Sequence, residues 1–140
     1  MNRVVTKKTI KAPAGRVWEI VREFGGLERF IAAVNTTKLE GSGIGMKRTM
    51  VMADGNTIVE RLEALDEEKR TLRYSVLETK APITDYIADM IIRDAEGGGC
   101  EIEWTSEFSS PEDQRARTER MVSGLHQMTI RGLDRLCREA

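Results

Sequence analysis

From Val34 to Phe108 the chain keeps to one period. Six runs, Val34–Glu40, Met46–Ala53, Thr57–Leu65, Leu72–Glu78, Thr84–Arg93 and Cys100–Phe108, alternate apolar and polar residues, the pattern of strands with one face buried. Turn chemistry separates several of them: GSGIG at 41–45, Asp54-Gly55-Asn56, the charged tip Glu67-Glu68-Lys69, and Gly97-Gly98-Gly99. Connections this short join antiparallel neighbours, since a parallel pair needs a crossover of about a dozen residues or more. Val4–Lys11 adds a seventh run ahead of the six. So many strands sharing one apolar face must curl, and the concave side needs something to fill it.

The filler is at the C-terminal end. From Pro111 to Arg138 the spacing turns helical: Met121, Leu125, Met128 and Leu136 make one stripe, flanked by Val122, Thr129 and Leu133. Pro111, Glu112 and Asp113 give it an acidic start that suits the helix dipole. Near the N-terminus Pro13 fits a first helical turn, and Ala14, Val17, Trp18, Val21 and Phe24 recur until Gly25-Gly26. Leu27–Ile31 reads as a second, very short helix. The expected fold class is α+β: a helix-grip arrangement, a curved antiparallel seven-stranded sheet wrapped around a long C-terminal helix, with two short helices after strand 1.

Composition narrows the function classes. The 140 residues suit a single domain, 1–140. A net charge of -1 offers no basic surface for nucleic acid. No apolar run approaches the roughly 18 residues of a membrane span, so no membrane insertion is expected. The opening MNRVVTKKTIKAP lacks the apolar core of a secretory signal. Cys100 and Cys137 sit outside metal or redox spacing and read as reduced thiols in a cytoplasmic protein, with a disulfide still open. GSGIG opens no helix and is not a dinucleotide fingerprint. No metal or cofactor is expected, and the oligomeric state is not legible.

Polar residues on the apolar face are the candidates for function. If Ile58, Leu62 and Ala64 face inward, period two turns Glu60 inward as well. Either the strand runs along a wet edge there, or a cavity takes the carboxylate. If Asp54-Gly55-Asn56 is a three-residue loop, Met50 faces Glu60 and Arg48 lies opposite Leu62, close enough to pair with Glu60. A two-residue Asp-Gly turn would instead flip the relative facing. Tyr74, Tyr86 and Trp104 share the inner phase, as core packing or as cavity wall, and Ser106 is a weaker candidate. Met50, Met52 and Met90 on strands, with Met121 and Met128 on the helix, would give an adaptable apolar lining. His126, the single histidine, falls beside the buried stripe, at a rim, without a matched nucleophile or carboxylate.

Five segments carry a resemblance: APAGRVWEIVREF, the GIGMKR turn, DGNTIVERLEALDEEKRTLRYSV, the PITDY entry to the sixth strand, and CEIEWTSEF before the long helix. In this order the chain resembles the SRPBCC superfamily, the START and birch-allergen-like fold, including its polyketide cyclase/dehydrase-like group. The resemblance implies a deep cavity between sheet and C-terminal helix that takes apolar small molecules. It implies that Glu60, in the ERL motif, faces ligand and water, with Tyr86 and Thr129 at further polar positions. The cationic ligand anchor of plant hormone receptors in this superfamily falls on Glu28 here, and their gate loop is longer than Asp54–Asn56, so hormone signalling is not implied. The expected ligand-binding set is Arg48, Met50, Met52, Ile58, Glu60, Tyr74, Tyr86, Met90, Trp104, Met121, Leu125, Met128 and Thr129. The expected partner is a small apolar ligand: a lipid, polyketide or aromatic metabolite. The alternative is a cyclase or dehydratase with Glu60 as general acid/base and Tyr86 bonding an enolate; a third reading, a filled core, would leave a protein-interaction module.

Overall fold

A computed structural model describes residues 1–139. The strands are β1 (Asn2–Ile10), β2 (Val34–Glu40), β3 (Lys47–Met52), β4 (Thr57–Asp66), β5 (Thr71–Glu78), β6 (Thr84–Asp94) and β7 (Cys100–Ser109). They form one antiparallel sheet in the order β1-β7-β6-β5-β4-β3-β2. Only the first strand leaves chain order, crossing to pair with β7. Helix α1 (Ala14–Val21) and a 3-10 turn (Leu27–Arg29) make that crossing, and α2 (Arg115–Arg138) closes the chain against β1, β7 and α1. The expected seven-stranded sheet with its long C-terminal helix is the observed fold.

Alternation explains the strands. Cys100, Ile102, Trp104, Ser106 and Phe108 of β7 are buried, while the residues between them are half-exposed. Tyr86, Ala88, Met90 and Ile92 repeat the pattern on β6. Curvature comes from β-bulges, which bend a strand and raise its twist. Two interrupt the β4–β5 ladder, between Val59 and Glu60 and between Leu62 and Ala64. The second corrects the expected phase: Ala64 is exposed, and Leu65 packs against the core in its place.

The β3–β4 hairpin is corrected by one position. Met52 N–H donates to the Asn56 carbonyl, and Gly55 has φ +87°. The loop is therefore Ala53-Asp54-Gly55, with glycine in the left-handed conformation such loops need. Arg48 consequently pairs with Glu60 across the strands, and Met50 with Ile58.

Helix α2 is rotated from its expected phase. Thr118, Val122, His126, Thr129, Ile130, Gly132, Leu133 and Cys137 are buried, whereas Met121 and Met128 are 45% and 46% exposed. The buried face mixes apolar Val122, Ile130 and Leu133 with polar Thr118, His126 and Thr129. A Cβ at Gly132 would overlap the Phe30 carbonyl oxygen, so glycine lets the helix press onto the turn after α1. The helix proper begins at Arg115, after a 3-10 turn at Glu112–Gln114, later than the Pro111 start expected. Cys100 and Cys137 are buried free thiols, and burial pushes Cys100 up to about 11.

Candidate functional site

The sheet, α2 and the segment after α1 enclose a cavity of about 70 Å³. That volume has room for several waters or one small organic group. Arg48, Met50 and Met52 of β3 line it, with Ile58 and Glu60 of β4, Tyr74 of β5, Met90 of β6 and Trp104 of β7. Leu125 and Thr129 reach it from α2. The opposite wall, which the sequence reading missed, comes from Phe24, Leu27, Phe30 and Ile31, with Val34 of β2. Its one available signal was the apolar spacing of Leu27, Phe30 and Ile31 within the expected short helix.

Glu60 is 7% exposed, so the wet-edge reading does not hold. Its Oε1 accepts from Arg48 Nε at 2.7 Å and lies 2.6 Å from Arg48 Nη2. A carboxylate out of water needs such a partner, because desolvating it alone costs several kcal/mol. Arg48 is fixed from three further directions. Its Nη1 donates to the Phe24 carbonyl at 3.3 Å, and its guanidinium carbon lies 3.9 Å from the Phe24 ring centroid and 5.0 Å from that of Tyr74. Phe24 holds φ +65°, unusual for a residue with a side chain, and is 1% exposed. That turn brings both its carbonyl and its ring to the arginine. Burial raises the Tyr74 phenol well above its ordinary value, so it stays protonated beside the pair.

Three expected site residues lie elsewhere. Met121 and Met128 point to solvent because of the rotation of α2. Tyr86 is inward and 4% exposed but does not line the cavity. Its hydroxyl bonds Ser106 Oγ at 2.6 Å, Ser106 bonds His126 Nε2 at 2.8 Å, and His126 Nδ1 meets Thr6 Oγ1 at 2.9 Å. Each member can donate one way and accept the other, so the chain closes for either histidine tautomer. His126 is fully buried rather than at a rim, and burial lowers its pKa to about 4. Burial pushes Tyr86 up to about 12. Glu28, where a cationic anchor would be expected, is exposed. The described residues contain no cluster of three or more metal-ligating side chains.

A family model described as "Polyketide cyclase / dehydrase and lipid transport" matches residues 1–140. The chain belongs to this family. Within the wider SRPBCC superfamily it is 33% identical over 82 residues to the abscisic acid receptor PYL2 of Arabidopsis thaliana, a match covering 55% of this chain and 43% of the receptor. The matched stretch thus spans less than half of that relative. The fold is shared with XoxI from Bacillus cereus, at TM-score 0.88 and 23% identity over 96% of this chain and 94% of that one. Norcoclaurine synthase from Thalictrum flavum, solved with dopamine and hydroxybenzaldehyde, superposes at TM-score 0.78 with 16% identity, covering 99% of this chain and 87% of that one. A receptor thus resembles part of this polyketide cyclase / dehydrase family member in sequence, and a synthase shares its fold.

Proposed function

We propose that this protein binds a small, largely apolar molecule in the cavity between the curved sheet and α2. The observation that carries the reading is an apolar chamber with a buried, paired arginine and glutamate in its wall. Apolar walls supply affinity and a few polar groups set orientation, the usual division of labour in ligand sites. Three methionines in the wall, Met50, Met52 and Met90, allow the chamber to reshape around a guest larger than its resting volume. Leu125, on the exposed side of α2, and the half-buried Met52 and Ile58 at the β3–β4 hairpin form the rim.

The test is mass spectrometry of small molecules released when freshly purified protein is denatured, paired with thermal shifts against apolar compounds. A stoichiometric apolar compound, or saturable stabilisation lost in Met90→Trp, supports binding. Neither signal in folded protein refutes it.

A second reading is an enzyme of the cyclase or dehydratase type. One observation favours it: among the described residues no group bonds Glu60 Oε2, which leaves a carboxylate oxygen for proton transfer inside the chamber. Tyr86, the other expected catalytic candidate, does not line the cavity, and its hydroxyl bonds Ser106 Oγ. Turnover abolished in Glu60→Gln while binding persists would favour this reading over simple binding.

A further inference from the structure

Trp104 Nε1 and Thr129 Oγ1 are buried polar atoms with no hydrogen-bond partner among the described residues, and both side chains line the cavity. Trp104 is 5% exposed and Thr129 4%, so bulk water does not serve them. An indole N–H only donates, whereas a threonine hydroxyl donates and accepts. An unanswered buried donor is costly, so an acceptor oxygen is what this part of the wall lacks. The indole is also held in place. Its ring stacks on His126 at 4.2 Å and 16°, and both ring nitrogens of His126 are bonded, to Ser106 and Thr6.

Charge supplies the second constraint. Arg48 is the one cationic side chain of the described lining and Glu60 the one carboxylate. Nε of Arg48 donates to Glu60 Oε1, Nη2 lies 2.6 Å from the same oxygen and Nη1 donates to the Phe24 carbonyl, while the Phe24 ring covers the guanidinium plane. An incoming carboxylate would find only the Nη hydrogens that Glu60 and the Phe24 carbonyl leave over. It would also meet the negative charge of Glu60 in a poorly solvated chamber.

Resting on the cavity-binding reading above, we infer that the chamber selects an uncharged ligand whose polar end is a carbonyl or hydroxyl oxygen seated on Trp104 Nε1 and Thr129 Oγ1. Glu60 neutralises Arg48 and thereby excludes carboxylates. The ligand class is a small neutral ketone, aldehyde, alcohol or phenol with an apolar body.

Three probes of nearly equal shape separate the possibilities: cumene without an acceptor, acetophenone with a neutral carbonyl, and benzoate with a charge. The chain has two tryptophans. Trp18 Nε1 already donates to Glu67 at 2.7 Å, outside the cavity. In a ¹H–¹⁵N spectrum, with the Trp18 signal assigned through Trp18→Phe, the Trp104 indole reports directly. Acetophenone is expected to move it downfield and to bind at least about tenfold tighter than cumene or benzoate. Thr129→Val should weaken acetophenone and leave cumene unchanged. In Glu60→Gln the arginine is uncompensated, so benzoate should tighten at least about tenfold while acetophenone changes less than about threefold. Should that variant not fold, the wild-type series still decides. Benzoate binding wild type as tightly as acetophenone, or a Trp104 signal that stays put with acetophenone bound, overturns the inference. Equal binding of all three probes keeps the cavity reading and removes the selectivity. Binding by none of them removes both.

Discussion

The Arg48–Glu60 corner and the Tyr86–Ser106–His126–Thr6 chain lie on the same concave face, both largely out of water, yet they satisfy their polar atoms in opposite ways. In the chain each group answers the next and no charge is needed. At the corner two opposite charges pair, but among the described residues Glu60 Oε2 has no hydrogen bond, and Trp104 Nε1 and Thr129 Oγ1, on side chains that line the same cavity, have no partner. The chain ties β1, β6, β7 and α2 to one another. On the proposed function, the incompletely paired corner is the part of the interior that meets a ligand. Trp104 belongs to both regions, with one face on His126 and its ring in the cavity wall.

The sharpest way to break this contrast is to remove one charge. Arg48→Leu should cost about 3–5 kcal/mol in urea unfolding at pH 7, because it leaves Glu60 buried and unpaired. Arg48→Leu/Glu60→Leu should recover most of that loss. If the single and double variants were equally unstable, the pair would matter for its packing and not for its charge.

The neutral chain has its own signature, in acid. Burial lowers His126 from 6.5 to about 4 in the folded state. Between those values the unfolded chain binds a proton that the folded chain refuses, so stability is full above pH 6.5 and falls as pH drops toward 4. The loss from this group is on the order of 3 kcal/mol. Glu67 and Glu103, held below their ordinary 4.5 by hydrogen bonds from Arg22 and Arg93, add their losses only under that value. His126→Gln should therefore be less stable than wild type at pH 7 but lose the slope between pH 6.5 and 4.5. A slope unchanged in that variant would assign it to other groups.

Tyr86→Phe separates the two regions by function. It removes one end of the chain without leaving a charge behind, and should cost about 1 kcal/mol. Because Tyr86 does not line the cavity, ligand affinity should not change. Loss of affinity would return Tyr86 to the role its sequence position suggested.

How much of this was legible follows from the two periods. The sheet wall, from Arg48 to Trp104, could be read because alternation along a strand and burial against a core coincide. The Arg48–Glu60 pairing was within reach, but its register turned on which residue of Ala53-Asp54-Gly55-Asn56 closes the hairpin, a single-residue choice that the letters leave open. The Phe24–Ile31 wall is assembled by a crossover between distant strands, and no local pattern announces which cavity it will face. The chain around His126 was hidden for a different reason. Strand phase turned Tyr86 and Ser106 inward, but nothing in the sequence joined them to Thr6 and His126, because hydropathy assigns polar residues to the surface unless partners are known in advance.

Helix α2 shows that last effect most plainly and supplies the smallest expected change. Three members of its expected stripe, Met121, Leu125 and Met128, lie on the exposed side, while Thr118, His126 and Thr129 go inward beside Val122, Ile130 and Leu133 to meet polar partners or the cavity. Met121→Gln/Met128→Gln should therefore shift stability by no more than about 0.5 kcal/mol and leave cavity binding unchanged. Val122→Ala, one residue away but 2% exposed, should cost more than about 1 kcal/mol. The comparison is read in paired urea melts with acetophenone titrations. A large effect of the methionine pair would mean that α2 rotates in solution to carry them inward, and the corner and the closed chain would then no longer be separate regions, because the same rotation would pull His126 from between Ser106 and Thr6.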